Sequence, residues 1–268
     1  MYQVTLPSPG FGTFRLEGES LKQAITDALE IGFRHIDTAQ IYGNEETVGE
    51  AIANSSVKRD DIFLTTKVWF DNFNAEKFVS SVEESLDKLQ TDYVDLLLIH
   101  WPSPDRKVPI ESYLKSLVDC MHKGYTRAIG LSNFTAPLLE EAFSVIGKEN
   151  IACNQVEVHP YFQNTDLVKF CQRHDITVVG YMPLGNGKIM EDKVLNDIAD
   201  EHGVSVASVA LAWQLQQGLV PIPASTNKAH IESNFAAKEL RLTPDEMDRI
   251  AKLDTGKRFI DPDFSPDW

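Results

Sequence analysis

Cysteine is scarce in this chain, with only Cys120, Cys153 and Cys171 among 268 residues. Odd in number, widely spaced and without a C-x-x-C, they speak against a structural disulfide and for reduced, buried thiols. Long hydrophobic runs are missing as well. The most apolar stretch, Tyr93 to Trp101, is interrupted by Asp95 and falls far short of the roughly 18 residues that a membrane helix needs. No membrane span is expected. The opening MYQVTLPSPGFG has neither a basic n-region nor a long apolar core, so a secretory signal is not expected and the expected compartment is the cytoplasm. Positive charge is also in short supply, with 25 Lys and Arg against 40 Asp and Glu and a formal net charge of −15. Phosphate backbones require clustered cations, so nucleic acid is not an expected partner and small molecules are. The seven histidines include no H-x-H and no H-E-x-x-H, which leaves no evident metal-ligand cluster; no metal is expected, and a metal-dependent barrel hydrolase is set aside. Low-complexity linkers and repeats are absent too. The expectation is a monomer with one domain over residues 1–268, ending in a short tail from about residue 255.

What is present is a regular alternation. Apolar, β-branched runs occur at 33–39, 62–69, 93–101, 127–132, 151–158, 176–182 and 219–225, with a poorer eighth candidate near Asn234 to Ala237. Between them lie segments of helical periodicity such as 21–32, 44–55, 75–89 and 110–124. Gly32 and Gly124 read as helix stops; Thr135 to Pro137 and Thr243 to Glu246 read as starts. Strand–helix alternation implies a parallel sheet covered by helices, and eight units in about 250 residues predict an α/β fold, a closed (β/α)8 TIM barrel. An open doubly wound sheet is the alternative. Against it, no G-x-G-x-x-G opens a helix after the first strand, and the nearest glycines, Gly10 and Gly12, precede the first helical stretch.

In such a barrel the C-terminal strand ends form the active face, so polar residues that terminate apolar runs point to chemistry. The run at 33–39 carries Asp37 and leads to Tyr42, the next ends at Lys67, and the third ends at His100. Taken singly, each has a bland reading as a loop cap, a solvated lysine, a surface tyrosine or a core histidine. Their coincidence on three consecutive strand ends carries the inference. Free tyrosine titrates near 10 and is a poor acid at neutrality; a close Lys67 is expected to lower that value, with Asp37 keeping Lys67 charged and oriented. His100 would orient a carbonyl and stabilise charge on its oxygen. Ser132-Asn133, Gln155 with Glu157 and His159, Tyr181, and Pro223 to Thr226 follow at later strand ends and read as a cofactor seat. Carbonyl reduction needs one acid and a hydride source, and hydride must come from a nicotinamide or flavin. Glu45, Glu46, Glu83 and Glu84 read as a solvated helix face without chemistry.

These residues resemble the aldo-keto reductases from about Gly10 to Asp254. GFRHIDTAQIYGNEETVG (32–49) is similar to the family's first signature, and TTKVW (65–69), LLIHWP (97–102), IGLSNF (129–134), NQVEVHPY (154–161) and GYMPLG (180–185) follow in the family order. The resemblance implies a catalytic set of Asp37, Tyr42, Lys67 and His100, with NADPH bound extended. Ser132, Asn133, Gln155 and a stacking Tyr181 would hold the nicotinamide, and Gly12, Thr13, Pro183 and Leu184 would approach the cofactor. Phe14, Trp69 and Trp101 would line the substrate pocket, core packing being the alternative for each aromatic. At the adenosine end IPASTNKAHIESN (222–234) departs from the family pattern, offering Ala224 and His230 where cations are usual. Ser225, Thr226, Lys228, His230, Asn234 and the helix-start amides would serve the 2′-phosphate and adenine, leaving NADH as the alternative cofactor. The chain is most similar to the bacterial 2,5-diketo-D-gluconate reductases of the shorter B type, associated also with methylglyoxal. A brief tail implies an open pocket; RFIDPDFSPDW (258–268) is expected either to fold over it or to lie as a plain surface tail. The rival functions are a Schiff-base lyase using Lys67 and a low-turnover NADPH-binding regulatory module.

Overall fold

The alternation of apolar runs and amphipathic segments is realised as eight strands joined by helices in chain order. In the computed structural model, which describes residues 4–268, these are β1 (Phe11–Gly12), α1 (Gly18–Ile31), β2 (His35–Asp37), α2 (Glu45–Ala53), β3 (Phe63–Val68) and α3 (Ala75–Leu89). They continue as β4 (Val94–Ile99), α4 (Ile110–His122), β5 (Thr126–Ser132), α5 (Ala136–Ile146), β6 (Ile151–Glu157) and α6 (Thr165–Arg173). The last are β7 (Thr177–Tyr181), α7 (Lys193–His202), α8 (Val206–Gln216), β8 (Val220–Pro221), α9 (Lys228–Ala236) and α10 (Pro244–Ala251). Met1 to Gln3, the start of the segment considered for a leader, lie outside the described residues. Neighbouring strands pair in parallel in the order β1 to β8. The ring closes where Gly10 N donates to Pro221 O and Gly12 N to Pro223 O, each at 3.0 Å. Gly12 is required there, since a Cβ would stand 2.8 Å from the Ile222 carbonyl oxygen. The fold is a (β/α)8 barrel of one domain.

The eighth strand corrects the sequence-based expectation. Asn234 to Ala236 belong to α9, where Ile231 and Asn234 share the buried face, and the missing strand is β1, only two residues long. Two residues cannot display a period, so no pattern announced it. Elsewhere the end signals hold. Thr243 accepts from Glu246 N while the Glu246 side chain accepts from Thr243 N, a full capping box on α10, and Gly32 ends α1 at φ 124°, a conformation that favours glycine.

Two apolar layers follow from the strand alternation. Leu97, Ile99, Ile129 and Val156 face outward into the helix layer, while Leu96, Leu98, Ala128, Cys153, Val179 and Val220 fill the barrel interior with Leu6 and Ile222. Cys120, Cys153 and Cys171 are free and buried, and burial raises their thiols, Cys120 to about 12 and Cys171 to about 11. Among the described residues no helix is long and apolar enough to cross a membrane, and no group of three or more His, Cys, Asp or Glu converges on a metal position.

Candidate active site

The interior rows of side chains lead directly to the site. In a strand, residues two apart share a face, so the row through His35 ends at Asp37, that through Thr65 at Lys67, and that through Leu98 reaches His100 just past β4. On the opposite wall the rows through Cys153 and Val179 end at Gln155, Glu157 and Tyr181. Apolar side chains low in the barrel thus give way to polar ones at its C-terminal mouth, where this fold places its chemistry. Tyr42 arrives on a short 3-10 turn, Gln40–Tyr42, immediately after β2.

Three of the four expected catalytic groups are hydrogen-bonded to one another. The Lys67 ammonium donates to Asp37 Oδ1 at 2.6 Å, to the Thr38 carbonyl at 2.8 Å and to the Tyr42 hydroxyl at 3.3 Å. All three ammonium protons are therefore used. The lysine is fully buried, and such a buried ion pair survives only when its remaining hydrogen-bonding capacity is met; the second Asp37 oxygen accepts Gln155 Nε2 at 2.7 Å. His100 completes the group by ring contact, its centroid 5.5 Å from Tyr42 and 5.2 Å from Trp69.

The electrostatics correct one expectation. Desolvation pushes the Tyr42 phenol up and the Asp37 carboxylate adds to this, while the Lys67 ammonium pulls it down; the net shift is upward from the ordinary value. The lysine limits the rise rather than producing a net fall. For Lys67, desolvation lowers the value but the Asp37 carboxylate and Tyr42 outweigh it, so the ammonium form is favoured. Burial and the neighbouring ammonium hold His100 well below its ordinary range. Its ring is uncharged, with Nδ1 buried and without a partner, and a neutral imidazole still carries one N–H to donate.

These groups open onto a cavity of ≈ 700 Å³. Gly12, Thr13, Asn133, Gln155, Tyr181, Pro183 and Leu184, all expected around a cofactor, line it, as do Phe14, Trp69 and Trp101. The Tyr181 hydroxyl donates to Asn133 Oδ1 at 2.8 Å, and Asn133 Nδ2 donates to the His100 carbonyl at 2.9 Å, so the flat ring and the amide are mutually fixed. Ser132 lies behind them, its hydroxyl donating to the Gln155 carbonyl. The adenosine-end residues are not drawn together in this way. The cavity wall reaches Ala224 but not Ser225, Thr226, Lys228, His230 or Asn234. Two amides at the start of α9 are taken by the Asn227 side chain, and the Lys228 ammonium pairs with Asp27 at 3.1 Å and Glu30 at 3.2 Å.

Other expectations are corrected. Glu45 is not on a solvated face: it is buried, accepting from the Thr66 hydroxyl at 2.6 Å and the Ser85 hydroxyl at 3.2 Å, because α2 turns its first residue under β3. Glu157 and His159 do not belong to a cofactor seat; they pair at 2.9 Å, both fully enclosed. Of the two alternatives for the tail, it is the first that is seen: the tail lies over the pocket, contributing Phe259, Ile260, Asp261, Pro262 and Phe264 to the lining, and Phe264 packs edge-on against Trp69, Phe70 and Trp101 at 5.0–5.8 Å. Ile41, half exposed at the mouth, was also missed; its only signal is an apolar residue in a loop beside Tyr42.

Comparison with known proteins agrees with this arrangement. The aldo/keto reductase family profile matches residues 10–255. Methylglyoxal reductase DkgB of Escherichia coli O157:H7 is 45% identical over 99% of this chain and 100% of its own length. The 9,11-endoperoxide prostaglandin H2 reductase of Trypanosoma cruzi is 41% identical over 97% and 92% of the two chains. Among solved structures, one assigned as a 2,5-diketo-D-gluconic acid reductase B superposes with a TM-score of 0.94 at 42% identity, covering 98% of this chain and 94% of the other. A Bombyx mori aldo-keto reductase in complex with NADP gives 0.89 at 34% identity, covering 96% and 92%. With its barrel, its converging Asp37, Tyr42, Lys67 and His100, and these likenesses end to end, the chain belongs to the aldo/keto reductase family of NADP-dependent oxidoreductases acting on carbonyl groups.

Proposed function

We propose that the protein reduces small aldehydes and ketones at the expense of NADPH, with Tyr42 protonating the carbonyl oxygen. The observation that carries this reading is the chain of contacts from Asp37 through Lys67 to the Tyr42 hydroxyl at the edge of a cavity walled by aromatic rings. The residues fit a nicotinamide: the Tyr181 ring offers a stacking face, and the amide oxygens of Asn133 and Gln155, both lining the same cavity, offer acceptors for a carboxamide, the Asn133 amide protons being held by the His100 carbonyl and the Ser132 hydroxyl. Reduced nicotinamide, when bound there, supplies the hydride. The protein's own groups do the rest. Tyr42 is protonated at neutral pH, as an ordinary phenol is, and the upward shift keeps it so; the phenolate left after it gives up its proton is stabilised by the adjoining Lys67 ammonium. His100, uncharged, donates toward the carbonyl oxygen and orients it. Phe14, Trp69, Trp101 and Phe264 exclude water from the reacting centre.

A Schiff-base role for Lys67 fits less well, since a nucleophilic lysine must be neutral and this one is held charged. For substrates, the relatives named methylglyoxal reductase and 2,5-diketo-D-gluconic acid reductase and the small roofed cavity support short, polar carbonyl compounds. Steady-state kinetics on methylglyoxal, 2,5-diketo-D-gluconate and simple aromatic aldehydes with NADPH and NADH test the reading. Tyr42→Phe should lose kcat by at least about 10²-fold while retaining NADPH binding; near-normal kcat in that variant would discard the assignment.

A further inference from the structure

One buried carboxylate at the mouth of the barrel takes no part in the chemistry described above. Glu157 ends β6, two residues past Gln155 on the same inward row, and is 1% exposed. Its Oε1 accepts the Phe259 amide at 2.7 Å and His159 Nε2 at 2.9 Å, and its Oε2 accepts the Ile260 amide at 2.9 Å. Two consecutive backbone amides more than a hundred residues away thus converge on one side chain.

The segment they belong to is the wall of the pocket. Residues after Ala251 form no helix or strand, so no regular ladder holds them. Upstream, the Thr255 and Lys257 amides reach the Tyr161 carbonyl at 3.1 Å. Around them the polar contacts of the tail are mainly internal: Arg258 Nη1 donates to Asp261 and Ser265, its guanidinium lies 4.2 Å from the Trp268 ring centre and 5.6 Å from that of Phe162, and Trp268 Nε1 donates to Ser265, while Phe264 is held by apolar packing on Trp69, Phe70 and Trp101. Between these, the polar grip of the barrel on the lining residues is the Glu157 carboxylate. Its two oxygens receive amide protons in charge-assisted bonds, which are about twice as strong as neutral ones.

We propose that Glu157 is a positioning residue for substrate binding, a fixed clasp that holds the C-terminal tail against the barrel so that Phe259, Ile260 and Phe264 form the pocket wall. The proposal rests on the carbonyl-reductase reading of the pocket. Glutamine cannot replace it, because Gln has one accepting oxygen and its amide group would face a backbone N–H as donor against donor. The clasp acts on the substrate wall and not on the Asp37–Lys67–Tyr42 chain, so its loss separates binding from chemistry.

Hydrogen exchange on the unaltered protein is the first test: the Phe259 and Ile260 amides should be the most protected of residues 255–268, and rapid exchange at both overturns the proposal without any variant. Glu157→Gln should speed tryptic cleavage after Lys257 and Arg258 by about tenfold and raise KM for methylglyoxal by about tenfold, with kcat changed by less than about threefold. In a Phe264→Ala background the same substitution should raise KM less than about twofold further, because the wall it positions is already cut back. Unchanged tail protection, or a KM effect undiminished in that background, overturns the proposal. If the unaltered protein reduces no carbonyl compound, the reductase reading fails by itself, since exchange and proteolysis report on the clasp without turnover.

Discussion

Gln155 Nε2 donates to Asp37 Oδ2 at 2.7 Å across 118 positions of the chain. This bond joins the second strand of the barrel to the sixth through its interior and makes Gln155 a support of the ion pair as well as a candidate nicotinamide contact. The Asp37 carboxylate is thereby shared between Lys67 and Gln155. Gln155→Glu would set a second carboxylate against it in a buried site, where both cannot remain ionised cheaply. The expected outcome is a loss of about 2–4 kcal/mol of stability at neutral pH in urea denaturation, diminishing as the solution is acidified. A Glu variant as stable as the parent at every pH would show that the bond is dispensable.

The raised Tyr42 value has a definite sign in the pH profile. Reduction requires the protonated phenol, and a group whose pKa lies above the ordinary value near 10 remains protonated throughout the neutral range. The kcat/KM for reduction should therefore stay level through neutrality and fall only as pH rises beyond that ordinary value. Lys67→Met removes the charge that draws the phenol down, so the break should move to still higher pH while activity falls about 10²–10⁴-fold. A break at or below neutral pH in the unaltered protein contradicts this.

Lys228 bears on cofactor choice. Its ammonium is directed at Asp27 and Glu30, and both lie within reach of a cation that is half exposed. If that ammonium serves the 2′-phosphate, Lys228→Ala should cut the preference for NADPH over NADH about tenfold, with NADH kinetics little changed. An unchanged ratio rejects Lys228 as the phosphate ligand.

Glu45 tests whether a buried carboxylate is structural. Desolvation raises its value, and the Thr66 and Ser85 hydroxyls oppose this without cancelling it. The folded-state value thus lies above the unfolded one, so its stabilising contribution is fully present below the unfolded value and is lost as pH rises through the folded one. Glu45→Gln should remove that pH dependence and match or exceed the parent's stability at neutral pH. Glu45→Ala leaves the Thr66 and Ser85 hydroxyl protons without their acceptor and should cost about 1–3 kcal/mol. Thermal denaturation at several pH values reads both.

The chemistry was legible in the sequence because it sits where strand periodicity puts it. Asp37, Lys67 and His100 each lie at or next to the C-terminal end of an apolar strand, and that position decides both the inward direction and the height in the barrel. The aromatic wall from Phe14, Trp69 and Trp101 was implied by the family resemblance and not by periodicity. Local sequence also set the helix ends at Gly32 and Thr243. What it could not express are relationships between distant segments. The two-residue β1 is a strand only because Phe11 and Gly12 pair with Ile36 and Asp37 of β2, and the ring closes only because Gly10 and Gly12 find Pro221 and Pro223. The sign of the Tyr42 shift depends on how much desolvation opposes one ammonium, a balance of distances and burial that no motif encodes. Glu45 and Glu157 look like ordinary acidic residues until tertiary packing encloses one beneath the third strand and brings the tail amides onto the other. Periodicity alone determined which side chains enter the barrel, because a pleated strand has only two faces. The closure, the roof over the pocket and the protonation energetics were decided by the folded structure, because they arise from contacts whose free energy exists only once residues far apart in the chain are held together.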